Sequence, residues 1–310
     1  MVSATGVATL LVHVGLLTAA PPLLLGVINK TKAWLVGRHG PPLLQAYYDL
    51  ARLFRKQMVF SRTTTWVFRA GPLVGMSAAL LAGTLVPFGA FDAPVAFPGD
   101  LVLFAYLMAL GRFLTTAAAL DTGSAFEGMG AARELSFACL AEAALFMAFV
   151  VLVRFSGSLS LTPIFHAPMT APLHGLAGAA IFLVAAALFV VLLAENSRIP
   201  IDDPNTHLEL TMIHEVMVLD HSGPLYGLVL YGAAVKLFLL SALLLHLILP
   251  FELGAPLLDW LLFVAGIGAI GVGIGVVESV MARLRLRYVP SLLIASAILC
   301  VFGFFLTLAS

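Results

Sequence analysis

Charge is what this sequence lacks most. Only 10% of its 310 residues are Asp, Glu, Lys or Arg, while 61% are hydrophobic and the mean hydropathy is +1.07. A soluble domain carries about 25% charged residues, so this composition excludes one and belongs to a membrane protein. Sixteen basic and sixteen acidic residues cancel, so bulk charge points to neither nucleic acid nor an acidic partner. Cysteine is nearly absent as well. Cys139 and Cys300 lie in separate apolar runs without CxxC spacing. That excludes a disulfide framework and a metal site, and both are expected to be buried as small apolar side chains. No Lys or Arg precedes Lys30. The basic start of a cleavable signal is therefore missing, and the first apolar run is expected to remain as a span.

What is present is long apolar runs. Eight match the roughly 20 residues needed to cross a bilayer core of about 30 Å: Thr5–Ile28, Pro72–Phe88, Leu101–Leu120, Ala132–Val153, Leu173–Ala194, Leu225–Leu249, Trp260–Met281 and Pro290–Leu308. The expected fold class is all-α: a polytopic integral membrane protein of about eight transmembrane helices, one membrane domain over residues 1–310, with an amphipathic interfacial helix. Lys and Arg crowd the odd connections, with eight from Lys30 to Arg69, Arg133 in the third, Arg198 in the fifth, and Arg283, Arg285 and Arg287 in the seventh. The even connections hold little beyond Arg154 at the edge of the fourth. The positive-inside rule then makes the odd connections cytoplasmic and turns both termini outward, in the cytoplasmic (inner) membrane.

Within the first connection, residues 40–58 are expected to form the interfacial helix. Leu43, Tyr47, Leu50 and Phe54 recur at helical spacing, and Gln45, Asp49, Arg52 and Arg55 fall on another face. Such a helix orients the protein on the membrane, lines an entrance or docks a partner. Gly266, Gly268 and Gly271 match GxGxxG, but they lie inside a span, where small residues serve close helix packing rather than a dinucleotide. No inverted repeat of the secondary-transporter kind is visible.

A charge at the bilayer centre costs at least ~2.5–3.5 kcal/mol, so intramembrane ionisable residues need a reason. Arg112, Glu142 and Lys236 are central in the third, fourth and sixth spans; Asp121 and Glu278 lie near span ends. Opposite signs at similar depth predict an internal polar network, either a structural ion pair or a proton path. His13 and His246 are expected to be hydrogen-bonded packing residues.

The densest chemistry lies between Ala194 and Gly223, AENSRIPIDDPNTHLELTMIHEVMVLDHSG, with six acids (Glu195, Asp202, Asp203, Glu209, Glu215 and Asp220) and three histidines. Pro200 and Pro204 predict a turn, and Asn205 or Thr206 could cap a helix from His207 to about Leu219. His214 and His221 would then stand seven apart, two turns, too far to chelate one ion, so no metal site is expected. Six acids on the face where positive charge normally dominates favour a docking surface or proton antenna over residues 195–223.

AENSRIPIDDP resembles the AE-x-NR-x-PFDLPE signature of the NADH dehydrogenase subunit 1 family of complex I, through Glu195, Arg198, Pro200, Asp202 and Pro204. Glu209 matches an acid in the continuation of that signature. Arg133 and Glu142 match the family's Arg and intramembrane Glu, and GRHGPPLLQAYYDLARLFRKQ is similar to its first-connection motif through Arg38, Gly40, Pro41, Leu44, Gln45, Asp49 and Leu53. The resemblance covers essentially the whole chain. Where the quinone-reducing branch has a GEY-type Glu, this chain has Gly232–Ala233–Ala234, and Leu120–Glu134 with Asp202–Pro224 resembles instead the branch of formate hydrogenlyase and hydrogenase-4 membrane subunits.

That resemblance implies a non-catalytic subunit of a membrane-bound nickel–iron hydrogenase complex. Iron–sulfur clusters and the nickel–iron centre would sit in partner subunits, with no cofactor in this chain, whose two cysteines fall short of the four a cluster needs. The implied partners are the hydrogenase large and small subunits, an iron–sulfur subunit, antiporter-like membrane subunits and the lipid bilayer. The implied coupling residues are Arg112, Asp121, Glu127, Arg133, Glu134, Glu142, Glu195, Arg198, Asp202, Asp203, Glu209, Glu215 and Lys236. Those implied for docking are Arg38, Gln45, Asp49, Arg52, Arg55, His207, His214 and Asp220. Two alternatives stay open at this point: the quinone-site subunit of NADH-quinone oxidoreductase, which needs a wide lateral cavity under the surface helix, and a free-standing proton-coupled transporter.

Overall fold

A computed structural model describes residues 4–170, 175–202, 213–249 and 255–309. Its helices are α1 (Ala4–Leu35), α2 (Gln45–Phe54), α3 (Trp66–Gly83), α4 (Asp100–Asp121), α5 (Ala125–Ser156), α6 (Leu161–Thr170), α7 (Leu176–Glu195), α8 (Gly223–Ile248), α9 (Pro256–Val280) and α10 (Val289–Ala309). All but α2 and α6 are long and apolar enough to cross a membrane, eight spans in all among the described residues. The protein is an all-α polytopic membrane protein.

The helix ends depart from the apolar runs for identifiable reasons. α1 continues through Pro21 and Pro22 and past Ile28 to Leu35, because Lys32 reaches an acid on α9. α3 starts at Trp66 rather than Pro72, since Thr65 caps it with its hydroxyl and Asp121 accepts from the backbone N–H groups of Thr65 and Phe68. It stops at Gly83, and the apolar residues beyond it, Val86 and Phe88, are buried in a turn. α5 begins at Ala125, seven residues early. α6 has no counterpart among the expected spans.

Close helix approach rests on small residues, as expected where lipid gives helices no hydrophobic reason to associate. A Cβ at Gly71 of α3 would lie 2.7 Å from Ala118 Cβ and 2.9 Å from the Leu114 carbonyl of α4. Of the glycines in the GxGxxG run and its continuation, Gly266 packs on Leu245, Gly271 on Leu24 and Val27, and Gly275 on Thr31 and the Ile28 carbonyl. Gly268 and Gly273 face open space. α8 is the central helix, with a continuous buried stretch from Val235 to His246 apart from Lys236.

The odd connections share one face of the bundle. Thr63 reaches the Thr122 carbonyl, Val59 donates to Ser222 Oγ at 3.0 Å, and Leu284 N–H donates to the Pro200 carbonyl at 2.8 Å. On the opposite face aromatic rings stack, His13 on Phe88 and Phe91 on Trp260, beside an open cavity of about 370 Å³. His13 hydrogen-bonds the Gly83 carbonyl, and His246 the carbonyls of Ala242 and Gly89, so both serve packing.

Two expectations are corrected. Cys300 is buried, but Cys139 is exposed on the outer surface of α5. The helix expected from His207 to Leu219 is not continuous: Ile213 and His214 lie in a bend and turn, followed by a single 3-10 turn, Glu215–Val218. Val216 and Met217 of that turn pack against Gly130 of α5, where any Cβ would collide with Val216. This seat, rather than helix periodicity, fixes the segment. His214 and His221 therefore do not share a helix face.

Candidate functional site

At its C-terminal end, α7 delivers Glu195 into the bundle just where the chain turns. Ser197 takes a left-handed φ of 49°, and the N–H groups of Ser197 and Arg198 close the turn on Ala194 and Leu193. The Glu195 side chain is 5% exposed. Two cations from different spans grip the same carboxylate oxygen: Arg112 Nη2 of α4 and, at 2.7 Å, Lys236 Nζ of α8. Arg112 Nη1 also bonds Glu142 of α5. The internal polar network expected of Arg112, Glu142 and Lys236 is thus joined by Glu195 from the fifth connection, and the four form one line across α5, α4, α7 and α8. Buried charges at such cost are held only where partners satisfy them, and here each one has a partner.

The line borders a cavity of about 100 Å³, walled by Arg112, Glu134, Glu195, Asn196, His214 and Lys236, among others. A second, of about 110 Å³, shares Asn196, Ser197 and His214 with it and extends to Asp202 and Glu215. Arg112 Nε and Asn196 Oδ1 are buried without hydrogen-bond partners among the described residues. Cavities of this size with convergent polar groups accommodate water. Together they lead from the connection at 196–222 to Lys236.

A second ionic group lies beside the first. Glu278 of α9, its side chain fully buried, lies 2.7 Å from Lys32 Nζ and 3.3 Å from Arg198 Nη1. The Lys32 contact is a close ion pair rather than an aligned hydrogen bond, since Oε2 has no hydrogen-bond partner. Asp202, 1% exposed, accepts from Arg283 at 2.7 Å and from the N–H groups of Ile213 and His214. Lys32, Arg283 and Asn196 were not among the expected site residues. Lys32 and Arg283 signal themselves in the sequence only as positive charge at span ends, which bears on orientation, and Asn196, a neutral amide in a connection, gives no signal.

The remaining candidates fall into different settings. Asp121 holds the start of α3. Glu127 is buried and accepts from the Asp220 N–H at 3.0 Å, while Arg133 Nη2 lies 3.0 Å from Met129 Sδ. In α2, Gln45 and Arg52 both bond Asp49, and Arg38 and Arg55, which lie before and after this helix, are exposed. Leu43 precedes this helix rather than belonging to it, and its carbonyl touches Gly26 of α1. Asp203, His207 and Glu209 lie outside the described residues. Among the described residues, no group of three or more His, Cys, Asp or Glu could hold a metal ion.

Comparison with known proteins bears on this geometry. Residues 7–309 match the NADH dehydrogenase family. The chain belongs to the NADH dehydrogenase subunit 1 family. Within that family it is 30% identical over 290 residues to formate hydrogenlyase subunit 4 of Escherichia coli (strain K12), covering 90% of this chain and 92% of that one. Hydrogenase-4 component C of the same organism is 32% identical over 238 residues, 74% of this chain and 71% of the other. The corresponding subunit of the NADH-quinone oxidoreductase of Syntrophotalea carbinolica is 30% identical over 226 residues, 67% of this chain and 66% of its own length. The fold matches a chain of the membrane-bound sulfane sulfur reductase, an archaeal respiratory membrane complex, with a TM-score of 0.81, 21% identity, and coverage of 96% and 97%. The chain is a complex I-like membrane subunit.

Proposed function

We propose that this chain is the membrane-anchoring and proton- or ion-coupling subunit of a complex I-like, membrane-bound nickel–iron hydrogenase of the formate hydrogenlyase type. Its odd connections face the cytoplasm, because of the sixteen Lys and Arg only Arg154 lies towards the other side and Arg112 and Lys236 lie within spans. A cytoplasmic redox arm, with hydrogenase large and small subunits and an iron–sulfur subunit, docks there. All redox centres belong to that arm. Antiporter-like membrane subunits continue the membrane domain.

The observation that carries this reading is Glu195, held by Arg112 and Lys236 at the junction of the 196–222 connection and the membrane interior. A charge change in the arm moves or protonates groups on that connection. Asp202 and His214 are joined by a hydrogen bond, so a shift of one reaches the cavity that Glu195 walls. Two unit charges about 4 Å apart interact by about 4 kcal/mol at an effective dielectric of 20. Releasing Glu195 from one cation is thus large enough to redistribute a proton along the line to Glu142. Against the quinone-site alternative stands the seating of the surface helix: α2 and its flanks lie on α1 and α8 through glycine contacts at Gly26, Gly223 and Gly227.

The test is the purified complex, assayed for metals, subunit content, hydrogen production and ion movement in vesicles. The expected result is a nickel-containing complex in which Lys236→Met keeps hydrogen production and loses ion movement. Quinone reduction by a nickel-free complex overturns the hydrogenase assignment, and unchanged ion movement in the variant overturns the coupling role.

A further inference from the structure

Glu142 stands apart from the other members of the ionic line. Arg112 and Glu195 side chains are 8% and 5% exposed, whereas that of Glu142 is 36% exposed. It is also deep. At 1.5 Å per residue it lies roughly 25 Å from the start of α5 and roughly 21 Å from its end, close to the middle of the membrane. One oxygen is bonded by Arg112; the other has no hydrogen-bond partner among the described residues. It does not wall the cavities described above, and it shares its helix face with Leu135, Cys139 and Phe146, which are exposed on the outer surface of α5. A carboxylate oxygen facing lipid tails at that depth carries the full penalty of an intramembrane charge.

The surroundings follow the same helix face. Leu135, Cys139, Glu142, Phe146 and Val150 recur at three- and four-residue spacing and form one outward stripe, with Ser136 beside it. On other outward faces, such as that of α7, the prominent exposed side chain is Phe182, at 72%. Polar side chains on an outward membrane face belong at helix–helix contacts, where hydrogen bonds across the contact satisfy them.

We propose that this α5 stripe is an intramembrane docking surface for a membrane-spanning helix of a partner subunit, which presents a hydrogen-bond-donating side chain to Glu142. Charge complementarity selects this occupant: the line from Glu142 to Lys236 is balanced internally, and the exposed oxygen still requires a donor. A second copy of this chain offers the same acceptor on that stripe, and its Ser136 hydroxyl is already given to the Ala132 carbonyl. The proposal deepens the coupling reading, since it gives the line its lateral outlet. It rests only on membership of a membrane complex and not on the hydrogenase branch.

The test places the photocrosslinker p-benzoylphenylalanine at Cys139, one turn from Glu142, and separately at Phe182, in the intact complex in its native membrane. The expected result is an adduct from position 139 only, mapped by peptide mass spectrometry to a membrane-spanning segment of another subunit carrying a donor side chain within two turns of the crosslink. Glu142→Ala is expected to lower the adduct yield at least fivefold, and Glu142→Gln, which keeps an acceptor oxygen, to restore most of it. Adducts with lipid alone, with a second copy of this chain, or with a wholly apolar segment overturn the proposal. The readout needs no turnover, so it can succeed where the metal and subunit analysis refutes a hydrogenase, and fail where that analysis supports one.

Discussion

Glu195 and Glu278 are the same chemical arrangement in two settings. Each is a buried carboxylate on one helix, gripped by two cations from separate segments. Around Glu195 the cations come from the middle of two spans, cavities lie alongside, and Glu142 extends the line to the lateral surface. Around Glu278 the cations are Lys32 at the end of α1 and Arg198 in the turn after α7, with Arg283–Asp202 adjoining. Glu278 itself does not wall the cavities described above, and this cluster meets the second of them only through Arg198 and Asp202, whereas Glu195 and both of its cations wall the first. Identical pairing can therefore hold a structure rigid or leave a group able to exchange partners. Access to water and to a further partner decides which.

The sharpest way to break this comparison is to remove the cation that Glu195 and Glu142 share. Arg112→Ala leaves two intramembrane carboxylates without it, and removing one partner of a buried pair costs about 3–5 kcal/mol. Loss of the assembled complex from membranes, seen on native gels, is the expected outcome. A fully assembled, active Arg112→Ala complex means that the line is not a unit.

Next come two matched changes, Lys236→Met and Lys32→Met. Both remove one of two cations from a buried carboxylate, so both are expected to destabilise the protein, by about 1–3 kcal/mol given that a second cation remains in each case. Thermal unfolding in detergent checks this. Ion movement separates them: lost in Lys236→Met, retained in the Lys32→Met complex that survives. Equal loss in both means the two clusters do not differ in role. A packing control is of the same size. Gly71→Val in α3 overfills the contact with Leu114 and Ala118 and is expected to cost about 1–3 kcal/mol, with coupling unchanged per assembled complex.

Sequence reading reached the two clusters unequally, for a physical reason. Arg112, Glu142 and Lys236 announce themselves, because a charge in the middle of an apolar run has no routine explanation. Lys32, Arg198, Arg283 and Glu278 sit at span ends, where charge is ordinary, so their mutual pairing was invisible. The spans themselves were legible from length and hydropathy. Their ends were not, since α1 and α3 are prolonged by contacts, with Glu278 and with Asp121, that belong to residues far away in the chain. The exposure of Cys139 was hidden for the converse reason: in a membrane protein an apolar run has an outward face as well as a buried one. The segment after Ile213 was misjudged because its turn is fixed by Gly130 on another helix.

The smallest expected effect tests how firmly the 196–222 connection is seated beside both clusters. His221 lies outside the spans, is 6% exposed and stacks on Phe68 at 4.0 Å, with Nε2 3.3 Å from the Phe68 carbonyl. Burial lowers its pKa from the ordinary 6.5, outweighing that hydrogen bond and the neighbouring Asp220, both of which favour the charged form. The unfolded chain then binds more protons than the folded one below about pH 6.5, so stability falls as pH drops through that value and is level above it. One proton limits the slope to about 1.4 kcal/mol per pH unit. Unfolding midpoints between pH 5 and 8 are expected to show this decline, and His221→Gln to flatten it. Because Glu127 bonds the Asp220 N–H next door, the same experiment in Glu127→Gln is expected to keep the decline; its disappearance there would mean that the seating of the connection, and not His221 alone, sets it.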